Sequence, residues 1–164
     1  MPTTDGERRA RAAHLVDELL AAYAGAVDDR DFPAWLGLFA PECAYGVHAM
    51  ENLREGLPLA YMMDDRRERL VDRVKMIDEV WQGTVEPYDT RHVLQRTALR
   101  EVGEDRWEVR SNVIVSYTAT SGEAGILVSG HCEDLVVLDG DVALFEKRIV
   151  VLDNTPPRYL VYPV

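Results

Sequence analysis

Three residues bring together the groups that acid–base chemistry needs: a carboxyl at Asp28, a phenol at Tyr45 and an imidazole at His92. Placed around an apolar pocket, they could move protons to and from a small carbonyl or enol. Each also has a plain structural reading. Asp28 would be a solvated helix end, Tyr45 a core aromatic, and His92 one half of a structural hydrogen bond. These readings weigh more, because nothing in the sequence itself sets the three side chains side by side. His131 follows Ser129-Gly130 in a strand-like segment and reads as a core or pocket histidine held by a hydrogen bond. With Tyr45 and His92 it is the candidate lining of a substrate pocket.

Metal and cofactor chemistry finds little footing. His14, His48, His92 and His131 show no helical metal spacing, and there is no HExxH motif or two-histidine, one-carboxylate cluster. Cys43 and Cys132 are too few for a disulfide framework and read as buried free thiols. Phosphate-binding glycine loops and the GxSxG motif are missing. No metal and no cofactor is expected in this chain.

The candidate residues need elements to position them. Residues 1–6 read as a loose terminus, with Thr4 or Asp5 able to cap the first helix. From Glu7 to about Asp29, Leu15, Leu19, Tyr23 and Val27 form one stripe with Val16 and Leu20 beside it, which predicts a helix with one buried face. Asp28 closes it. Asp31 reads as the cap of a short helix through Phe39, with Pro33 in its first turn. Ala40-Pro41-Glu42 reads as a break, Cys43–Met50 as a first strand holding Tyr45, and Glu51–Pro58 as a loop.

Between Leu57 and Gln95 the pattern changes. Leu70, Val74 and Ile77 recur at helical spacing, while Asp64, Asp65, Arg66, Arg67, Arg69 and Arg73 fill the other faces. Such a charged helix is usually a solvated face, but alternating arginines and carboxylates can also fix a partner's register. Asp64, Arg66, Arg67, Arg69, Arg73 and the later Arg91 are therefore candidate interface residues. An irregular linker with Pro87 comes next, and a strand opens through Thr90-Arg91-His92.

Turn signals then divide the remaining chain into strands at Arg91–Glu101, Arg106–Thr120, Gly125–Leu138 and Val142–Leu152, the last two joined at Asp139-Gly140. In the second, Trp107, Val109, Val113, Val115 and Tyr117 alternate with polar residues. In the last, Val142, Leu144 and Val150 are assigned to one face and Ala143, Phe145, Ile149 and Val151 to the other. That predicts cover on both faces, by a helix and by another chain. The ending YLVYPV is too apolar for a free tail and is expected to pack on something. Helices followed by a curved, mostly antiparallel sheet give an α+β domain over residues 1–164, a cone with a pocket between the layers.

Composition sets the outer bounds. A chain of 164 residues can bury a real core. A formal net charge of -11 argues against a nucleic-acid partner, since phosphate binding needs a basic face. No apolar run is long enough to span a membrane, and the opening residues have no signal-like apolar core. The chain reads as cytoplasmic.

The segment Tyr61–Gln95 resembles the β (small) subunits of aromatic-ring-hydroxylating dioxygenases. It carries YMMDDRRERLVDRVKMI, then Glu86-Pro87, then Thr90-Arg91-His92, in that family's order. FEKRIVVLDN, from Phe145 to Asn154, is similar to the family's closing strand, and WLGLFAPECAYGV also fits. The resemblance covers nearly the whole chain. It implies an NTF2-like (SnoaL-like) cone and a mainly structural subunit without its own cofactor. It further implies a partner α subunit that holds a Rieske iron–sulfur cluster and a mononuclear iron, commonly as α3β3; a homo-trimer or other homo-oligomer is also open. The same superfamily supplies the rival: a stand-alone, scytalone-dehydratase-like enzyme without cofactor. Such a dehydratase, isomerase or cyclase would act on a small aromatic or polyketide-like substrate through Asp28, Tyr45 and His92. The dehydratase's second catalytic histidine has no counterpart on the Trp107–Thr120 strand.

Overall fold

The first helix starts where a reciprocal cap forms. In the computed structural model, which describes residues 4–164, Thr4 Oγ1 accepts from the Glu7 amide and Glu7 Oε2 accepts from the Thr4 amide at 2.8 Å. Helix α1 then runs Asp5–Asp28 and buries Val16, Leu19, Leu20, Tyr23 and Val27. Of the expected loose terminus, residues 1–3 lie outside the described residues, whereas Thr4 caps the helix and Asp5 and Gly6 belong to it. Arg30, in the left-handed region at φ 57, turns the chain, and Asp31 caps α2 (Phe32–Gly37) through the Ala34 amide at 3.0 Å. Asp28 is thereby fixed at a sharp corner.

Strand β1 spans Phe39–Ala49, and the expected break at Ala40–Glu42 is an irregular register inside it. The expected loop holds a short helix, α3 (Met50–Arg54). The charged stretch also begins differently. Met62–Asp64 form a short strand, β2, antiparallel to β1, so Asp64 is not helical. Helix α4 covers only Arg67–Lys75 and continues as a π-helical turn, Met76–Trp81. Pairing with β1 is non-local, and the helical spacing of Leu70 and Ile77 gave no sign of it.

Strands β3 (Tyr88–Gly103), β4 (Arg106–Ala119), β5 (Ala124–Asp139) and β6 (Val142–Leu152) form an antiparallel meander, and β6 pairs parallel to β1. The sheet order is β2-β1-β6-β5-β4-β3. Register slips interrupt the ladders at several points, and such bulges bend and twist long strands. The sheet consequently curls around α1, whose buried face packs with Phe145, Val113 and Val150 in one core. Gly130 shows how closely the backbones approach: a Cβ there would lie 1.9 Å from the Val151 carbonyl oxygen.

The β6 slip overturns the facing expected for that strand. Leu135 pairs with Lys147 and Val136 with Phe145, leaving Glu146 as an extra residue. Alternation changes parity there, so Phe145, Arg148 and Val150 all point inward while Ile149 lies on the outer face. No helix among the described residues is long and apolar enough to cross a membrane.

Candidate functional site

Asp28 and His92 meet at the corner where α1 ends against β3. Asp28 accepts three hydrogen bonds: from the His92 amide at 3.0 Å, from Thr90 Oγ1 at 2.9 Å and from His92 Nδ1 at 2.6 Å. Burial pushes the Asp28 carboxyl up, but the bonds from His92 and Thr90 outweigh it and hold the group below its ordinary range. A carboxylate can only accept, so Nδ1 carries the proton. The imidazole is fully buried and its Nε2 has no hydrogen-bond partner.

Tyr23 lies between Tyr45 and this dyad, sharing an acceptor with the one and an aromatic contact with the other. Tyr23 stands edge-on to His92, with ring centres 6.3 Å apart, and Tyr45 packs edge-on to Trp35 and Phe39. Both phenols turn to the chain's own end. Tyr23 donates to the Val164 oxygen at 2.8 Å and Tyr45 to the same oxygen at 3.2 Å, and the Val164 amide donates back to the Tyr45 oxygen at 3.0 Å. Burial pushes both phenols above their ordinary range, so they remain donors. Tyr88 repeats the clip further out: it donates to the Tyr159 carbonyl at 2.9 Å and accepts from the Val161 amide at 3.3 Å. The apolar ending packs as expected, and its destination is the inside of the cone, where Val161 and Val164 are buried.

A second polar group lies deeper, and sequence reasoning missed it. Arg148 donates to Asp134 at 2.7 Å, both side chains having no exposure, and its guanidinium lies 4.1 Å from the Tyr23 ring centre. Burial opposes the charge on Arg148, but Asp134, the thiol of Cys132 and the nearby phenols raise its pKa above the ordinary value. Burial also pushes the Cys132 thiol up to about 11, which leaves it a weak nucleophile. Alternation along β5 puts Cys132 and Asp134 on one face, and the slip at Glu146 sets Arg148 of β6 against them.

His131 is not in this interior. It neighbours Cys132 on β5 and so faces the other way, beside Asn112 and Val151, with Nε2 at 3.3 Å from Glu133. Its expected place on the pocket wall is corrected by strand parity. Three of the interface candidates are likewise engaged within the chain. Arg73 makes a two-pronged pair with buried Asp64, and Arg67 donates to the Phe39 and Ala40 carbonyls. Arg66, Arg69 and Arg91 stay exposed.

Among the described residues no two cysteines and two histidines come together as a Rieske centre requires. Cys43 sits on β1 beside Arg67, Cys132 on β5 beneath Arg148, and His131 on the opposite face. Among the described residues no three side chains of the His, Cys, Asp or Glu type gather around a metal position.

Comparison with known proteins bears on this fold and site. The profile of the family described as "Ring hydroxylating beta subunit" matches residues 22–157. The beta 1 subunit of the terminal oxygenase component of terephthalate 1,2-dioxygenase, from a Comamonas species, is 27% identical over 136 residues, covering 82% of this chain and 86% of that one. The crystal structure of the beta subunit of a candidate aromatic-ring-hydroxylating dioxygenase from Novosphingobium aromaticivorans superposes with a TM-score of 0.84 at 29% identity, covering 94% of this chain and 99% of that one. A candidate scytalone dehydratase from the same organism has a TM-score of 0.68 at 19% identity over 89% and 87% of the two chains, which speaks for the NTF2-like cone alone.

Proposed function

This chain belongs to the ring-hydroxylating beta subunit family, and from that premise we propose that it is a structural small subunit that holds iron-containing α subunits in place. The partner would carry the Rieske cluster and the mononuclear iron, in an α3β3 assembly acting on an aromatic compound. This chain's part is to present surfaces. Its outer sheet face carries exposed Val93, Ile114 and Ile126, adjoining Arg91. Arg66 and Arg69 project from the start of α4. Exposed apolar groups with arginine nearby are the usual makings of a protein interface.

The observation that carries this reading is how the cone is filled. The phenols that would orient a substrate are bonded to Val164, and Asp28 is bonded to His92 and to Thr90. The test is His92→Gln within the assembled oxygenase. A structural role predicts turnover per assembled complex within about twofold of the parent, since general acid–base catalysis is worth roughly 10²–10⁴. A loss of about 10² or more, with mass and iron content unchanged, would move the chain to the rival, a cofactor-free acid–base enzyme built on Asp28 and His92.

A further inference from the structure

We propose that the catalytic partner seats on the free edge of the sheet at β2, and that it presents there a segment of apolar side chains flanked by carboxylates. This deepens the subunit reading and rests on it. β2 ends the sheet order, so one of its edges pairs with β1 and the other has no strand beside it. The Tyr61 amide donates to the Val47 carbonyl at 2.8 Å and carries that edge one residue further back. Met62 and Asp64 are buried, while Met63 between them points out. Leu57, Leu59 and Tyr61 continue the same spacing, and the four side chains are between 40% and 57% exposed. No charge interrupts Leu57–Met63. Sheet edges are ordinarily blunted by charge or by cover, and this one is uncharged and open.

The apolar surface continues past the strand. A cleft of about 530 Å³ beside Tyr61 is walled by Met76, Trp81 and Tyr159 together with Arg66, Arg69 and Arg73. Met76 and Trp81 come from the π-helical turn, a rare element that often sits at functional sites. A contiguous apolar patch rimmed by charge marks a protein contact, whereas scattered apolar residues do not. On the outer sheet face Val93 and Ile114 make one cross-strand pair among Arg91, Gln95, Asn112, Ser116 and Ser129. Charge then names the occupant. The chain carries a net charge of -11, yet this cleft sets three arginines against two aspartates, and Asp64 is already engaged by Arg73. Arg66 and Arg69 have only the exposed partners Asp65 and Glu68, which a carboxylate brought in with an apolar contact can replace. A second copy docked face to face would set these arginines against their own counterparts. A partner segment with carboxylates beside apolar side chains is complementary to them.

The test compares the two faces. Association with the catalytic subunit recovered from the native complex is measured by light scattering. Leu59→Ser/Met63→Ser should weaken it by about tenfold or more, since both side chains leave the centre of the contact. Val93→Ser/Ile114→Ser should change it by less than about threefold. The reverse pattern, or a loss of less than about threefold from Leu59→Ser/Met63→Ser, would overturn the proposal while leaving the subunit reading intact. A parent chain that associates with no second chain would overturn that reading and this proposal with it. Should Leu59→Ser/Met63→Ser fail to fold, oxidation of Met63 in the parent decides, read by mass spectrometry after chloramine-T. Oxidation should be about tenfold slower in the native complex than in the isolated chain, because thioether oxidation follows exposure. Equal rates would refute the proposal.

Discussion

Arg148 and Arg69 both sit beside an aspartate, yet they stand at opposite extremes of the molecule. Arg148 is wholly buried with Asp134, stacked over Tyr23 and Phe145. Arg69 is half exposed on α4 and lies 3.1 Å from Asp65. Desolvation separates them. In the interior, losing one partner strands a charge, so the pair dictates how β5, β6 and α1 must pack. On the surface, water and salt screen the charges, so the pair adds little to folding and stays free to rearrange against another chain. The interior polar groups are committed to the fold; Arg66 and Arg69 at the start of α4 are not.

The sharpest way to break this contrast is Arg148→Met. It leaves Asp134 buried without a partner and should cost about 3–5 kcal/mol in urea denaturation. Arg148→Met combined with Asp134→Leu should recover most of that loss, because neither charge is then stranded. A mild effect of the single change would mean that the pair is hydrated in solution.

Asp28→Asn comes next. It weakens bonds from Thr90 and His92 and should cost about 2 kcal/mol, the usual range for hydrogen bonds to a charged group. Its pH dependence sharpens the assignment. Asp28 is held below its ordinary value of 3.8, so its contribution is complete above that value and is lost as pH falls through the folded-state pKa. Thermal melts taken from about pH 5 to about pH 2 should show a shallower acid limb in Asp28→Asn than in the parent. Equal limbs would place the acid sensitivity elsewhere.

Arg66→Ala/Arg69→Ala should be the mildest for the chain alone, under about 1 kcal/mol. Its effect belongs to assembly. Association with the catalytic subunit, measured by light scattering, should weaken severalfold and lose part of its salt dependence. Unchanged association would shift the contact to the outer sheet face around Val93 and Ile114.

Local signals were legible in the sequence. The stripe Leu19–Tyr23–Val27, the Asp31 cap and the Asp139-Gly140 turn each report on a few neighbouring residues, and each stands where it was expected. The sequence put Asp28 at a helix end and His92 at a strand start but weighed Asp28 as solvated; that β3 packs against the end of α1 and joins the two is a long-range contact only the structure shows. What was illegible depends on pairing at a distance. One extra residue at Glu146 reversed the facing of β6 and concealed Arg148. Asp64 left the helix for a strand that exists only beside β1. His131 turned outward because its neighbour Cys132 points in. The destination of the final residues rests on single hydroxyl contacts from Tyr23, Tyr45 and Tyr88, which leave no periodic trace.

The most direct test of the subunit assignment is the native complex. The chain should be purified from its own host at low salt and analysed by size exclusion with light scattering, an iron assay and a visible spectrum. The account predicts a large complex with a second, iron-containing chain and a Rieske-type spectrum, while the isolated chain binds no stoichiometric iron and turns over no arene. A homo-oligomer without a second chain, or stoichiometric iron in the isolated chain, would contradict it.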